Sequence, residues 1–564
     1  MKKVIKTKGK PWTSKLRPWK KPKLYDEGIF FDDLLRVQKF YREEGFWQAK
    51  VNDHELTFND KQDEVNIIIN VEEREPLIVE QVAIDLAPEI TKEIELHRLK
   101  KLLRLEKGKR YREQELIADH DTIIEWFSNR GYPYIKANVE EDVDQSNYIV
   151  SLTWQLHPGP FSRFGEIKFT GLVQISQKVL EHGLEFKPGE AFSQKKLDDS
   201  RGQLYRSGLF QFVKVGSELQ QDQSSEIPVD VRVKETSAAK LAFGVGYSTE
   251  GAFRVFSGLE QRDFLGGGRL LKTIVLHSTN LIPLLAGLEL NQPFFFSARN
   301  NLKIRPFFVW FDEKAFESKS FILETTLSRE ISEAGSVFLT TELSRDDVET
   351  KSEIIEESGF NKKSKLRTGL TWNTSDQVFN PTRGFYSTLF VEESGRILGV
   401  ETKYFKLFAE HRKYFSIFQD NVLALRLSVG SIKPQGDGEI PIEERFFSGG
   451  TFSVRGWRRQ LLGPSTVDVN GNVVPLGGNS QIEGSLELRR PLFRKIASAF
   501  FLDYGNVWQD WDGFDLFDLR YAIGLGLRYN TIIGPLRLDF AWKLNKQELD
   551  TRNYEVHFSL GQAF

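Results

Sequence analysis

The second half of the chain alternates between apolar residues and small or polar residues, from about residue 240 to the terminus. In residues 241–248 (LAFGVGYS) every second side chain is large and apolar, and alanine, glycine or serine stands between. A period of two is typical of β-strands with one oily face. The same alternation recurs in residues 269–277, 303–311, 321–329, 338–344, 385–391 and 521–529.

The number of alternating segments narrows the fold further. Between turn signals we count sixteen of them, and an even number is typical of bacterial transmembrane barrels. The alternative is a soluble sandwich. However, sixteen strands that share 45 Phe, 11 Trp and 15 Tyr exceed one ordinary sandwich and suit a lipid-facing band with aromatic girdles. No apolar run reaches the roughly 18 residues that a membrane-spanning helix needs.

The first half contains one pattern three times. The copies are LLRVQKFYREEGFWQAKV, DTIIEWFSNRGYPYIKANV and DDSRGQLYRSGLFQFVKV, each with apolar residues at helical spacing, a glycine and a strand. We expect Gly45, Gly131 and Gly208 to end the helices in a left-handed conformation. A second strand closes each copy. Units of roughly 75 residues are too small for an enzyme core and suit a row of α+β modules.

A distinctive loop, RFFSGGTFSVRGW, lies late in the chain at residues 445–457. Gly449 and Gly450 allow the chain to double back, and Gly456 allows close packing beside Arg455. The arginine is therefore predicted at a tight loop tip. A solvated surface loop would be the ordinary interpretation of such a segment.

This loop resembles the signature loop of the BamA/TamA-type outer-membrane β-barrel assembly family, whose Val-Arg-Gly-aromatic tip folds back into a 16-stranded barrel. Segments similar to other family motifs are DQVFNPTRGFYSTL, GSLELRRP, FLDYGNVW and the terminal HFSLGQAF, so the resemblance extends from about residue 30 to the end. It implies that the three repeats are polypeptide-transport-associated (POTRA) domains. The residues that match the loop tip are Val454, Arg455, Gly456 and Trp457.

We therefore predict α+β POTRA repeats followed by an all-β transmembrane 16-stranded antiparallel barrel. The expected divisions are a basic, disordered tail (1–23), a partial POTRA domain (24–76), two complete ones (77–159 and 160–236) and the barrel (237–564), with an inward-folded loop around 433–480. The tail has ten lysines and arginines but no signal-peptide core. We interpret the start as truncated or lacking its signal peptide.

Charged residues alternate with lipid-facing residues in two barrel segments. Glu487 lies between Leu486 and Leu488, and Asp503 also follows a leucine. A basic residue that faces lipid at mid-depth costs ~2 to 4 kcal/mol, so charges belong in the lumen, where they need partners. The resemblance implies that Arg455 is the partner, since its guanidinium can bind Asp503 and Glu487 at once. The alternative is that these carboxylates are hydrated in a wide pore.

The resemblance also implies a weak seam between the first and last barrel strands, which opens sideways. We expect the closing strand to pair with residues 241–247, and glycine to weaken that contact. The alternative is that the glycines only ease barrel curvature. The predicted seam residues are Leu241, Phe243, Gly244, Gly246, Phe558, Leu560, Gly561 and Phe564.

Several classes of function are disfavoured. There is no cysteine, no His-x-x-x-His pair, no Gly-x-Ser-x-Gly elbow and no P-loop, so we expect no enzyme, no metal and no cofactor. Lys and Arg total 77 against 79 Asp and Glu, which suggests no nucleic-acid partner.

The function that the resemblance implies is assembly of proteins in a bacterial outer membrane. The POTRA domains would lie in the periplasm and receive unfolded clients at exposed sheet edges, or serve only as spacers. The barrel would then insert β-barrel or autotransporter-like clients. Expected partners are outer-membrane lipid, unfolded clients and periplasmic accessory proteins. The alternatives are a two-partner secretion-type polypeptide transporter, a passive porin-like channel and an organelle homologue.

Overall fold

The structure is a computed structural model, and it describes residues 4–8, 24–62, 64–88, 90, 94–219, 222–351, 359–395, 399–400, 402–417, 421–436, 438–531 and 534–560. Most of the predicted basic tail, together with Gly561 and Phe564 of the predicted seam, lies outside these residues. The chain forms two compact units. One contains the first two repeats and part of the third, and the other contains the rest of the third repeat and the barrel.

The first half folds into the predicted α+β repeats. The first contains α1 (Glu27–Glu43) and an antiparallel pair, β1 (Lys50–Phe58) and β2 (Val65–Glu72). The second contains β3 (Ile78–Asp85), α2 (Leu96–Lys100), α3 (Glu113–Ser128), β4 (Lys136–Asp144) and β5 (Ile149–His157), with sheet order β3-β5-β4. The third contains β6 (Arg163–Thr170), α4 (Gln177–His182), α5 (Gln194–Arg206), β7 (Phe210–Ser217) and β8 (Glu226–Glu235), with order β6-β8-β7.

The seventh residue of the long helix has the same task in each repeat. Asp33 accepts the main-chain N–H groups of Lys6 and Thr7 at 2.8 and 2.7 Å. Asp119 accepts those of two loop residues, Arg104 and Leu105, at 2.7 and 3.0 Å. The hydroxyl of Ser200 accepts from Glu185 N at 2.8 Å. Each buried side chain thus satisfies main-chain donors that the preceding segment leaves without a ladder partner.

The glycine that follows each long helix is left-handed, as predicted. Its φ is +93° at Gly45, +91° at Gly131 and +74° at Gly208. At the first of these, an added Cβ would lie 2.2 Å from the main-chain oxygen of Tyr111, in the next repeat. The carbonyl of Gly45 also accepts the N–H of Leu77 at 2.9 Å. This glycine therefore ends a helix and allows two repeats to approach closely.

The second half forms one antiparallel sheet of 16 strands, which confirms the predicted count. A further short hairpin, β20 (Ser465–Val467) and β21 (Val473–Pro475), lies in the loop between β19 and β22. The sheet strands are β9 (Ala239–Ser248), β10 (Ala252–Arg262), β11 (Leu270–Ser278), β12 (Leu281–Pro293), β13 (Asn300–Asp312), β14 (Phe316–Glu330), β15 (Gly335–Thr350), β16 (Gly359–Asn373), β17 (Gly384–Ser394), β18 (Tyr404–Ile417), β19 (Asn421–Pro434), β22 (Ser480–Phe493), β23 (Ile496–Trp508), β24 (Arg520–Thr531), β25 (Gly534–Lys543) and β26 (Tyr554–Leu560).

The two faces of the sheet differ as the alternation predicts. Phe243 and Val245 are 74% and 75% exposed, whereas Glu487, Asp503 and Arg537 are fully buried. Apolar side chains thus cover the outside, and charged ones lie inside. No helix in the described part of the chain is long and apolar enough to cross a membrane.

Candidate functional site

The tip of the loop between β19 and β22, at residues 454–457, is packed inside the barrel rather than solvated. Val454 and Arg455 have no exposed surface, and Trp457 is 1% exposed. Val454 and Trp457 pack with Leu462 and Ala522 in one apolar cluster. The indole Nε1 of Trp457 donates to Asp550 Oδ2 at 3.0 Å. The surface-loop interpretation of this motif is therefore wrong.

Glycines give the loop tip its shape. Gly449 and Gly450 have φ values of +98° and +114°, and the N–H of Gly450 donates to the carbonyl of Trp457 at 2.9 Å. An added Cβ at Gly456 would lie 2.6 Å from the Cβ of Ala522 on β24. The turn and its contact with the barrel wall therefore both favour glycine.

The guanidinium of Arg455 reaches both carboxylates that the sequence analysis assigned to it. Its Nε and Nη2 donate to the two oxygens of Asp503 at 2.7 and 2.8 Å. Its Nη1 donates to Glu487 Oε2 at 2.7 Å. The main-chain N–H of Arg455 also donates to Asp503 Oδ2, at 3.0 Å. The arginine thus binds Asp503 with both side chain and main chain.

The contacts of Arg455 with Asp539 and Phe501 were not predicted from the sequence. Nη1 also lies 3.2 Å from Asp539 Oδ2 on β25, and the guanidinium carbon lies 3.4 Å from the centre of the Phe501 ring. The signal for Asp539 was present, because it stands between Leu538 and Phe540 in an alternating segment. Stacking on an aromatic face adds a cation–π attraction to the ion pairs.

More arginines extend this network along the barrel wall. Arg489 Nε donates to Glu487 Oε1 at 2.8 Å, and Arg528 contacts both Glu487 and Asp539. All of these side chains are nearly or fully buried. Buried charges are tolerated when each has opposite charges and hydrogen bonds around it, as here.

The base of the loop has a second attachment, which sequence reasoning missed. Glu443 and Glu444 lie in a 3-10 turn, Ile442–Glu444. Lys363 Nζ on β16 lies 2.6 Å from Glu443 Oε1 and 2.9 Å from Glu444 Oε1, and Lys365 Nζ lies 2.8 Å from Glu444 Oε1. The shared parity of Lys363, Lys365 and Arg367 in the sequence was the available signal. The loop is therefore bound to the wall at its base and at its tip.

The described part of the seam lies at the end of β9. The first and last strands, β9 and β26, stand at opposite ends of the sheet order. Their contact is at Thr249, just beyond β9, whose N–H donates to the carbonyl of Phe558 at 3.1 Å. The hydroxyl of Thr249 accepts from Phe558 N at 2.7 Å, and the Tyr247 and Phe558 rings lie 6.3 Å apart.

The described residues cover only part of the predicted seam. The described part of β26 ends at Leu560, and its contact with Thr249 is at the far end of β9. The predicted pairing along residues 241–247 stays a prediction, because Gly561 and Phe564 lie outside the described residues. Among the described residues, Leu241, Phe243, Gly244 and Gly246 have no main-chain hydrogen bond to β26.

The glycines of β9 have a clear packing role on the other side of the strand. Gly244 lies opposite Phe256 of β10, and Gly246 lies opposite Arg254. An added Cβ at Gly244 would lie 2.1 Å from the Phe256 ring. These glycines make room for side chains of β10, and their role in weakening the seam stays a prediction.

Comparison with known families agrees with this architecture. The Omp85 superfamily domain matches residues 264–564, and the POTRA family, described as a surface antigen variable number repeat, matches residues 4–74, 89–159 and 162–236. The chain belongs to the Omp85 superfamily. The first POTRA match begins inside the predicted tail, near the residues that Asp33 binds. The predicted domain boundaries stay predictions.

Relatives of this Omp85 protein include two named outer membrane protein assembly factor BamA. The relative from Neisseria meningitidis serogroup B is 24% identical over 622 residues, covering 100% of this chain and 76% of its own. The relative from Nitratidesulfovibrio vulgaris is 22% identical, covering 83% of this chain and 60% of its own. The predicted family is thereby confirmed. This Omp85 protein is an outer-membrane protein with periplasmic POTRA domains.

Solved structures show the same fold. BamA from Haemophilus ducreyi lacking POTRA domains 1–3 superposes with a TM-score of 0.59 at 20% identity, covering 85% of this chain and 98% of that one. CdiB from Acinetobacter baumannii gives a TM-score of 0.55 at 14% identity, with coverage of 95% and 99%. No group of three or more metal-binding side chains is present in the described residues.

Proposed function

We propose that this Omp85 protein assembles other proteins into the outer membrane. Its POTRA domains receive unfolded clients, and its barrel inserts β-barrel or autotransporter-like clients at the seam between β9 and β26. The observation that carries this proposal is the likeness to a relative named outer membrane protein assembly factor BamA, which covers 100% of this chain and 76% of that protein. We assign client entry to the seam because β9 and β26 are the first and last strands of the sheet and stand at opposite ends of its order.

No nucleotide or other enzymatic step is needed in this mechanism. A client strand exposes apolar side chains and unpaired main-chain groups, and both are satisfied when it pairs within lipid. The protein's part is to offer a strand edge at the place where lipid is accessible. The partners of this step are the unfolded client, outer-membrane lipid and periplasmic accessory proteins.

The loop contributes by binding the lumenal face of the barrel wall at fixed positions. Arg455 connects the loop tip to β22, β23 and β25 through Glu487, Asp503 and Asp539. One of these strands, β25, pairs with the seam strand β26, so the loop is tied to the strand next to the seam. We propose that Val454, Arg455, Gly456 and Trp457 anchor the loop so that the seam, and no other pair of strands, opens.

Reconstitution tests the function directly. The protein in liposomes should accelerate the folding of a urea-unfolded client barrel, measured as the heat-modifiable band on gels. Arg455→Ala should slow this rate, and Lys495→Ala, in the exposed turn between β22 and β23, should not. Equal client folding in empty liposomes would refute the proposal.

A second candidate is secretion of polypeptides through the barrel, the two-partner secretion alternative of the sequence analysis. The same liposomes distinguish the two functions. An assembled client becomes integrated in the bilayer, whereas a secreted one becomes soluble and protected inside the vesicle. A porin-like channel would instead give large conductance that is unaffected by substitution of Arg455.

A further inference from the structure

Thr451, at the loop tip, lies directly behind the seam. Its side chain and main chain are 1% exposed. Its N–H donates to the carboxylate of Glu250, which belongs to the turn between β9 and β10. Its hydroxyl lies 3.1 Å from Nδ1 of His557, on β26. One loop residue therefore contacts both sides of the seam.

The two contacted residues adjoin the seam contact itself. Glu250 follows Thr249, and His557 precedes Phe558. Glu250 is fixed to the first strands, because Asn280 Nδ2 donates to its carbonyl at 2.7 Å. The bridge through Thr451 thus runs parallel to the main-chain bridge, on the lumenal side.

The remaining groups around Thr451 are also engaged. Its carbonyl accepts from Arg537 Nη2 at 2.5 Å, and Nε2 of His557 lies 2.8 Å from the carbonyl of Arg455, to which it donates. With Nε2 protonated, Nδ1 is the acceptor for the hydroxyl of Thr451. The histidine of the last strand therefore holds the loop tip at two points.

We propose that Thr451 is a lumenal latch of the seam, a positioning residue that holds β26 beside β9 through its contacts with Glu250 and His557. These contacts must break before the two strands separate. This inference rests on the proposed function for its consequence, since opening of the seam matters when clients enter there. Its structural content is independent of any client. Docking of the loop thereby favours a closed seam.

Ser453 provides the matched comparison. It lies two residues further along the same tip, and its hydroxyl binds Glu483 on β22, away from the seam. Thr451→Val and Ser453→Ala each remove a hydroxyl from the loop tip. A latch predicts that the first substitution loosens the seam and the second does not. General loosening of the loop predicts that both do.

The test introduces one cysteine on each side of the seam. The effective concentration of one thiol at the other measures how far the seam is closed. The Thr249–Phe558 contact places Ser248 beside Ser559, so the background is Ser248→Cys with Ser559→Cys in the full chain, which has no other cysteine. The disulfide fraction at equilibrium in glutathione buffers gives the effective concentration. Thr451→Val should lower it by about two- to tenfold, the effect of one hydrogen bond.

Glu250→Ala, in the turn, gives a second reading if Thr451→Val fails to give a heat-modifiable barrel. It should lower the effective concentration similarly, while Ser453→Ala keeps the parent value. Unchanged values for both latch variants, or an equal fall for Ser453→Ala, would overturn the latch. Because no client is present, this result is separate from success or failure of client insertion.

Discussion

Arg455 shows how one buried charge can organise the lumen of a membrane barrel. Its guanidinium contacts Asp503, Glu487 and Asp539 and stacks on Phe501. A lysine has a single nitrogen and no flat face, so it could not make all of these contacts. Without the arginine, three carboxylates on neighbouring strands would lose a shared counter-charge.

Substitution of Arg455 should therefore destabilise the folded barrel. Loss of one partner from a buried ion pair typically costs ~3 to 5 kcal/mol, against ~0 to 1 kcal/mol for an exposed pair. Arg455→Ala should lower the temperature at which the barrel band converts to the unfolded band on gels. Arg458→Ala is the control, because its side chain is 46% exposed beside Glu555. Equal shifts for both would show that Arg455 is not an anchor.

Asp33 makes a prediction about pH. Burial raises the pKa of this carboxyl, but the N–H groups of Lys6 and Thr7 and the guanidinium of Arg36 lower it more, from an ordinary 3.8 to about 2. A carboxyl group whose pKa is lower in the folded state than in the unfolded state stabilises the fold at pH values above its unfolded-state pKa. This stabilisation is lost as the pH falls towards the folded-state pKa. Exchange of the Lys6 and Thr7 amides should therefore accelerate between pH 3.8 and about 2.

Asp33→Asn is the control for this effect. The amide keeps an acceptor oxygen but does not titrate in this range. In Asp33→Asn, exchange of the Lys6 and Thr7 amides should show no additional acceleration on acidification once the intrinsic pH dependence of exchange is subtracted. A variant that retains the full acceleration would assign the effect to another group.

The sequence reached part of this site, for a physical reason. Glu487 and Asp503 could be predicted from the sequence, because a charged residue among lipid-facing residues must point inward wherever its partner lies. The contacts of Thr451 and the ion pair of Glu444 with Lys365 could not be predicted from the sequence. They join segments whose proximity depends on the stagger of the whole barrel. Parity indicates a side chain's face but not its height along the wall.

At the scale of elements, local chemistry specified most of the fold. Each barrel strand must be apolar on its lipid face, so the alternation identified strands without knowledge of their neighbours. The helix ends at Gly45, Gly131 and Gly208 were equally local, since a left-handed residue is needed there. The close approach of Gly45 to Tyr111 was not predictable, because it depends on how two repeats pack.

That approach can be tested with a matched pair of glycines. Gly45 and Gly108 have similar φ values, +93° and +84°, but an added Cβ would meet the Tyr111 carbonyl at Gly45 and nothing within 4 Å at Gly108. Gly108→Ala should cost ~1 to 2 kcal/mol from backbone strain alone. Gly45→Ala should cost more and accelerate amide exchange at Leu77, which donates to the Gly45 carbonyl. Equal losses in the free energy of unfolding for the two variants would mean that the two repeats can move apart without a free-energy penalty.

At the scale of the whole molecule, the barrel combines strong and weak joints. Neighbouring strands such as β14 and β15 pair over their full length, from Phe316↔Thr350 to Glu330↔Ser336. In the described residues, β9 and β26 meet through Thr249, Phe558 and the Tyr247 ring, with Thr451 behind them. We propose that the wall opens at the seam first, because β9 and β26 are the two ends of the sheet.

Locking that seam is the most direct test of this account. Ser248→Cys with Ser559→Cys, oxidised in the full protein, should join β9 to β26 while the barrel stays folded and heat-modifiable. Client insertion into liposomes should stop in the locked protein and return on reduction, while each single-cysteine variant should insert clients normally. If the locked protein inserts clients at the unlocked rate, clients do not enter the membrane through this seam.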